Sequence, residues 1–90
     1  MYTLEPTPYE ISMQIAQRHR AFRKRQKISQ KEMAERSGVS LGSLKRFERS
    51  GKISLESLLK LAHLLGRLSD FDKVLEEKEN PVNIERLFKT

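Results

Sequence analysis

Between Ser29 and Gly51 the chain carries helix start and stop signals so closely spaced that they leave little choice of local structure. Ser29 followed by Glu32 is a capping box, in which the hydroxyl accepts from a free backbone N–H and the carboxylate reaches back to the cap. Gly38 supplies the left-handed backbone that ends a helix, and Val39 covers the turn. Ser40 then restarts the chain as an N-cap, and Gly51 breaks it again. The spacing predicts two short helices, over residues 30–37 and 41–49, joined by a three-residue turn. Such a pair constrains the fold strongly and the function only moderately, because most αα-hairpins bind nothing.

The same punctuation organises the rest of the chain. Thr7-Pro8-Tyr9-Glu10 is a second capping box, with proline at the first helical position, so a helix starts at residue 8. Its apolar stripe reads Ile11, Ile15 and Phe22, with Ala16 and His19 nearby and Ile28 in the connection that follows. Ser54 caps a fourth helix over about residues 55–65, which Gly66 ends. Ser69 with Asp72 opens a short fifth helix carrying Phe71, Val74 and Leu75, and Asn80-Pro81 interrupts it. No strand and no internal repeat is evident. The expected fold class is all-α with five helices. The expected organisation is an arm over residues 1–7, a domain over 8–78 and a tail over 79–90.

Composition sets the limits. Ninety residues are enough for one small helical core and not for two. The absence of cysteine excludes a disulfide framework and a thiolate metal site, which suits a reducing cytoplasm. No apolar run approaches the roughly eighteen residues of a membrane span, and the first residues have neither signal-peptide nor transit-peptide character. The net charge of +6 is unevenly placed: residues 1–53 hold 12 lysines and arginines against 5 acids, and residues 54–90 hold 6 against 7. A basic front half built around the helix pair points to a polyanionic partner, and the near-neutral rear half to packing or protein contact. The plainer alternative is that the surface cations only keep a small protein soluble.

Geometry assigns the outward residues of the second short helix. Leu44 and Phe47 are three apart and face the core. That leaves Ser40, Leu41, Gly42, Ser43, Lys45 and Arg46 outward, a small and basic face of the kind that enters a DNA major groove. Arg46 is the best candidate base reader, since a guanidinium takes guanine O6 and N7 bidentately. Lys45 reaches phosphate or guanine. Gly42 costs a helix about 1 kcal/mol relative to alanine, which either rewards close approach to DNA or reflects tolerance in a first turn. Leu41 either meets a thymine methyl or staples the turn. Leu41, Gly42, Ser43, Lys45 and Arg46 are thus the candidate base contacts. Arg18, Lys24, Arg25 and Lys27 are either phosphate contacts or a solvated face.

These residues also resemble a family. Gln30 opening the first short helix, Ala34, Gly38 at the turn, Leu44 and Glu48 are similar to the helix-turn-helix of the Cro and lambda-repressor type, the XRE family. Arg20 and Arg23 upstream and the run over residues 58–66 fit the same pattern, so the resemblance covers residues 15–68. It implies a five-helix, lambda-repressor-like DNA-binding domain with the helix-turn-helix at helices 2 and 3. It further implies that Gln30 holds a phosphate at a positive helix end, with Lys31, Ser40 and Ser43 as further phosphate contacts. Each serine has a purely structural reading as a cap. Arg23 and Glu48 match the ion pair that commonly joins the first helix to the end of the third in this family, so Arg23 is read as structural. Residues 47–59 resemble small toxin–antitoxin regulators, particularly HipB-type antitoxins, which repress their own operon as dimers and bind a HipA-type, kinase-like toxin.

One recognition helix makes few base contacts, so a homodimer reading an inverted repeat, with half-sites about 34 Å apart, is the expected partner arrangement. In the fourth helix Leu55, Leu58, Ala62 and Leu65 make one face, and Leu61, Leu64 and Leu68 broaden it. That surplus suggests a second buried surface for a dimer or toxin, or else a fatter core. Ile84, Leu87 and Phe88 in the tail have i, i+3, i+4 spacing and either dock on a partner or form a disordered end. His19 and His63 lack cysteine or clustered carboxylates at metal spacing and are read as packing residues. No metal site, cofactor or catalytic group is implied, nor is there a glycine-rich phosphate loop or nucleophile elbow. The function expected is a sequence-specific repressor of double-stranded DNA, cytoplasmic and nucleoid-associated, and an antitoxin in type. The alternatives are a stand-alone phage- or mobile-element-type repressor, a protein-interaction module that has lost DNA binding, and, more remotely, a membrane-surface role for the basic first helix.

Overall fold

The structure is a computed structural model that describes residues 5–77. Among these residues the chain forms α1 (Pro8–Arg25), α2 (Gln30–Ser37), α3 (Leu41–Ser50) and α4 (Leu55–Leu64), followed by a single 3-10 turn (Leu68–Asp70). The tail residues Ile84, Leu87 and Phe88 lie outside the described residues.

Each of these helices starts with the same local device. Thr7, Ser29, Ser40 and Ser54 accept, through the side-chain oxygen, from the backbone N–H three residues on, at 3.1, 3.0, 3.1 and 3.1 Å. This satisfies one of the free donors of each first turn. The reciprocal half of the expected Ser29 capping box is not made. The Glu32 carboxylate turns along the helix to Arg36, 3.0 Å away, because an exposed i, i+4 pair competes on equal terms with the backbone cap.

Helix ends also follow local chemistry. Gly38 adopts φ 79°, ψ 9° and donates its N–H to Ala34 O, closing α2. Gly51, at φ 76°, lies where an added Cβ would come within 2.9 Å of the Ser12 backbone, so both its conformation and its contact with α1 require glycine. α1 ends differently. Lys27 takes the left-handed position at φ 58°; its N–H bonds Lys24 O, and the Ile28 N–H bonds Arg23 O. This is a Schellman motif with lysine where glycine is usual.

The core joins Ala16 of α1, Met33 and Ala34 of α2, Val39 of the turn, Leu44 and Phe47 of α3 and Leu61 of α4. α3 packs against α1 and α2, and α2 packs against α4. On α1 the buried row is Ala16, His19 and Arg23. The expected stripe is displaced to its edge: Ile15 and Phe22 are half-buried and Ile11 is exposed. Arg23 thus occupies a position that an apolar pattern would leave on the surface; of the two histidines read as packing residues, His19 is buried and His63 is exposed.

α4 corrects the leucine reading. Leu61, expected at a partner surface, is wholly buried inside this chain, and Leu64 packs against the same core. Leu55, expected to face inward, is 67% exposed at the first position of the helix. Of the expected contact residues within the described part, only Leu68 stands exposed. No fifth α-helix forms over residues 68–77. Asp70, Phe71 and Val74 donate to carbonyls three residues back, and Arg67 grips Asp70 at 2.8 Å. Leu75 then takes φ 63°, which no continuing helix tolerates.

Candidate nucleic-acid interface

α3 is seated by a buried polar cluster centred on Glu48, near its C-terminal end. Arg23 of α1 approaches in a fork, with Nε donating to Oε2 at 2.9 Å and Nη2 to Oε1 at 2.8 Å. Its remaining Nη1 donates to Ile28 O at 2.8 Å, tying the α1 terminus into the same network. His19 Nδ1 lies 2.8 Å from Oε2, and Gln30 Nε2 donates to Oε1 at 3.1 Å. The three charged or ionisable side chains are nearly sealed from solvent, with 3% of Glu48, 7% of Arg23 and 6% of His19 accessible. Burial alone pushes the Glu48 carboxyl up. The hydrogen bonds from His19, Arg23 and Gln30, together with the Arg23 charge, outweigh it and hold the carboxyl at about 2. Glu48 is therefore ionised throughout the range in which proteins work, and residues from α1 and α2 converge on it to fix the rotation of α3.

With Leu44, Phe47 and Glu48 inward, the outward face of α3 follows. Gly42, Ser43, Lys45 and Arg46 are all exposed. Among the described residues Lys45 and Arg46 carry no ion pair. Leu41 is half-buried and packs on the core, which fits the turn-staple alternative. An alanine Cβ at Gly42 would meet nothing within 4 Å, so nothing inside this chain calls for glycine there. Ser40 caps α3 and donates its hydroxyl to Ser43 Oγ at 2.8 Å. Lys31 is exposed on the first turn of α2, where a helix leaves backbone N–H groups without intrahelical partners. Gln30 is placed differently from a simple phosphate ligand: its amide is engaged with Glu48, which leaves one side-chain N–H and the backbone for an outside anion.

One group of residues went unread in the sequence. Lys52, Ser54 and Ser57, from the α3–α4 connection and the start of α4, join Ser43 and Arg46 around a hollow of about 330 Å³. Ser50 fixes this connection, donating to Arg46 O at 2.6 Å and accepting from the Lys52 N–H at 3.3 Å. A lysine between Ser50 and the capping Ser54 was the available signal. The hollow extends the cationic face of α3 with hydroxyl groups and a helix N-terminus, the components of an anion site.

A short helix with an unpaired cationic face, propped across a glycine turn on a second helix, defines a helix-turn-helix. The family model described as helix-turn-helix, of the XRE type, matches residues 20–71, and the chain belongs to that family. Its domain is therefore a DNA-binding domain of the transcriptional-regulator type, a family whose members are typically not enzymes. The comparisons with curated proteins and with solved structures give no match. No helix among the described residues is long and apolar enough to cross a membrane, and none of their His, Asp and Glu side chains cluster as a metal site.

Proposed function

We propose that the chain is a sequence-specific repressor that binds an inverted-repeat operator as a homodimer in the cytoplasm. The observation that carries this reading is the set of exposed α3 side chains, Gly42, Ser43, Lys45 and Arg46, on a helix whose rotation Glu48 fixes. Arg46 and Lys45 read base edges, with Ser43 and Gly42 allowing the helix N-terminus to approach. Leu41 reaches the duplex only with the part of its side chain that the core leaves uncovered. Lys31, Ser40 and the first turn of α2 at Gln30 hold the phosphate backbone. The test is selection of randomised duplex DNA by the purified protein near physiological salt. Enrichment of an inverted repeat with half-sites about one helical turn apart supports the reading. A folded protein that enriches no motif would refute it.

Within this reading the finer role is the antitoxin of a type II toxin–antitoxin operon, which represses its own promoter and binds a HipA-type kinase-like toxin. The similarity of residues 47–59 to HipB-type antitoxins supports it, and exposed Leu55, Leu68 and Val74 offer apolar contact. Co-purification with the product of the adjoining gene, together with relief of that product's toxicity, tests it. A stand-alone repressor is the second reading, and one observation favours it: Leu61 and Leu64, counted as surplus in the sequence, are used by this chain's own core.

A further inference from the structure

A groove of about 460 Å³ runs between α1, α4 and the 3-10 turn. Its volume lies within the roughly 300–1,000 Å³ of small-molecule sites. The walls are apolar, supplied by Phe22, Leu58, Leu65 and Phe71, among others. The rim is cationic. Arg18, Arg25 and Arg67 line it, and Asp70 is the one acid among the lining residues. Asp70 is taken up by Arg67 at 2.8 Å. Among the described residues Arg18 and Arg25 carry no carboxylate partner, and Arg25 and Arg67 are held over the Phe22 ring at 5.5 and 5.7 Å from its centroid. Two cations therefore stand uncompensated at the mouth of an apolar slot.

His19 joins the wall of the groove to the cluster that seats α3. His19 lines the groove, is 8% exposed, and has one nitrogen committed to Glu48. Its other nitrogen, Nε2, is buried without a hydrogen-bond partner. Nε2 has almost no accessible surface, so an occupant of the groove meets the His19 ring and not this nitrogen.

We infer that this groove is a binding site for a small molecule with an apolar body and a single anionic head, a medium-chain or aryl carboxylate in type. The body fills the slot beside Phe22 and Leu58 and against the His19 ring, and Arg18 and Arg25 take the head group. This goes beyond the DNA-binding role and does not depend on it. Through His19 the ligand touches the residue that shares Glu48 with Arg23, so occupancy is felt at the group that seats α3.

The test titrates the full chain with 1-anilinonaphthalene-8-sulfonate and displaces it with octanoate or octanol. The expected result is a fluorescent complex saturating at one probe per chain, displaced at least tenfold better by octanoate than by octanol. The exposed-site variant Arg18→Gln/Arg25→Gln, checked for unchanged helical circular dichroism, is expected to bind probe and octanoate at least tenfold more weakly. Octanoate is also expected to move the His19 ring resonances of the wild-type protein. Absence of saturable binding, equal displacement by octanol, unchanged affinity in the double variant, or an unmoved His19 signal would each overturn the assignment.

Discussion

Replacing Glu48 by glutamine tests the account of how α3 is held, because the two residues are close in shape and differ in charge. Two estimates of the cost can be set side by side. Holding the carboxyl at about 2 instead of near 4.5 corresponds to about 3 kcal/mol in favour of the folded state. Removing one partner of a buried ion pair costs about 3–5 kcal/mol, because the other charge stays buried and unmatched; here that charge is Arg23, with 7% of its side chain accessible. A loss of about 3 kcal/mol is a large share of the 5–15 kcal/mol that stabilises a typical domain, and lowers Tm by roughly 12–24 °C at this size. The pH dependence gives a sharper signature. The folded-state pKa of Glu48 lies below its unfolded value, so its contribution is complete above about pH 5 and is lost as the pH falls through about 2. Urea unfolding followed by circular dichroism at pH 7, 5, 4 and 3 measures this directly. The gap between wild type and Glu48→Gln is expected to be widest at pH 7 and 5 and to narrow steadily by pH 3. Two proteins that lose stability in parallel from pH 5 to pH 3 would refute the claim that the cluster holds Glu48 ionised.

Four further outcomes follow from single residues. Arg46→Ala is expected to cost about 1–3 kcal/mol of operator affinity and relax preference at one base pair, measured by fluorescence anisotropy on an operator and its single-base variants; uniform weakening on every sequence would contradict base reading. Lys31→Ala should weaken binding to all duplexes alike and reduce the slope of log K against log salt by about one. Gly42→Ala should stabilise the fold by up to about 1 kcal/mol, since its methyl meets nothing inside the chain, and weaken operator binding; unchanged affinity would mean the helix does not approach DNA closely there. Lys27→Gly should relieve the left-handed strain at the α1 terminus and raise stability by about 1 kcal/mol in urea unfolding.

What the sequence makes legible here is what is settled within three or four residues. The caps at Thr7, Ser29, Ser40 and Ser54 and the stops at Gly38, Gly51 and Gly66 are local hydrogen-bond and dihedral requirements, and the structure meets them where they were expected. The same local logic overreached after Gly66. Ser69 and Asp72 look like a helix start, but the Arg67–Asp70 pair and Leu75 close a series of turns instead. α4 shows a different limit. Leucine at five of the ten positions of Leu55–Leu64, and again at Leu65, blurs the period, so which of them α2 covers is decided by tertiary packing and not by the pattern.

The polar cluster was the least legible part, for a physical reason. An apolar period places the buried row of α1 on Ile11, Ile15 and Phe22, yet the helix turns His19 and Arg23 inward. That rotation is favourable only once Glu48 is present, 29 and 25 residues away in the chain, with Gln30 closing the group from 18 away. Each of these side chains alone would be costly to bury, and together they satisfy one another. Resemblance pointed to Arg23 and Glu48; nothing local pointed to His19 and Gln30 as their companions. A carboxylate that accepts from two earlier helices fixes an orientation that apolar contacts at Leu44 and Phe47 leave free to slide, and a rotation of α3 by even one residue would carry Arg46 off the exposed face. The charge network thus explains why a helix of ten residues holds a single outward set of side chains.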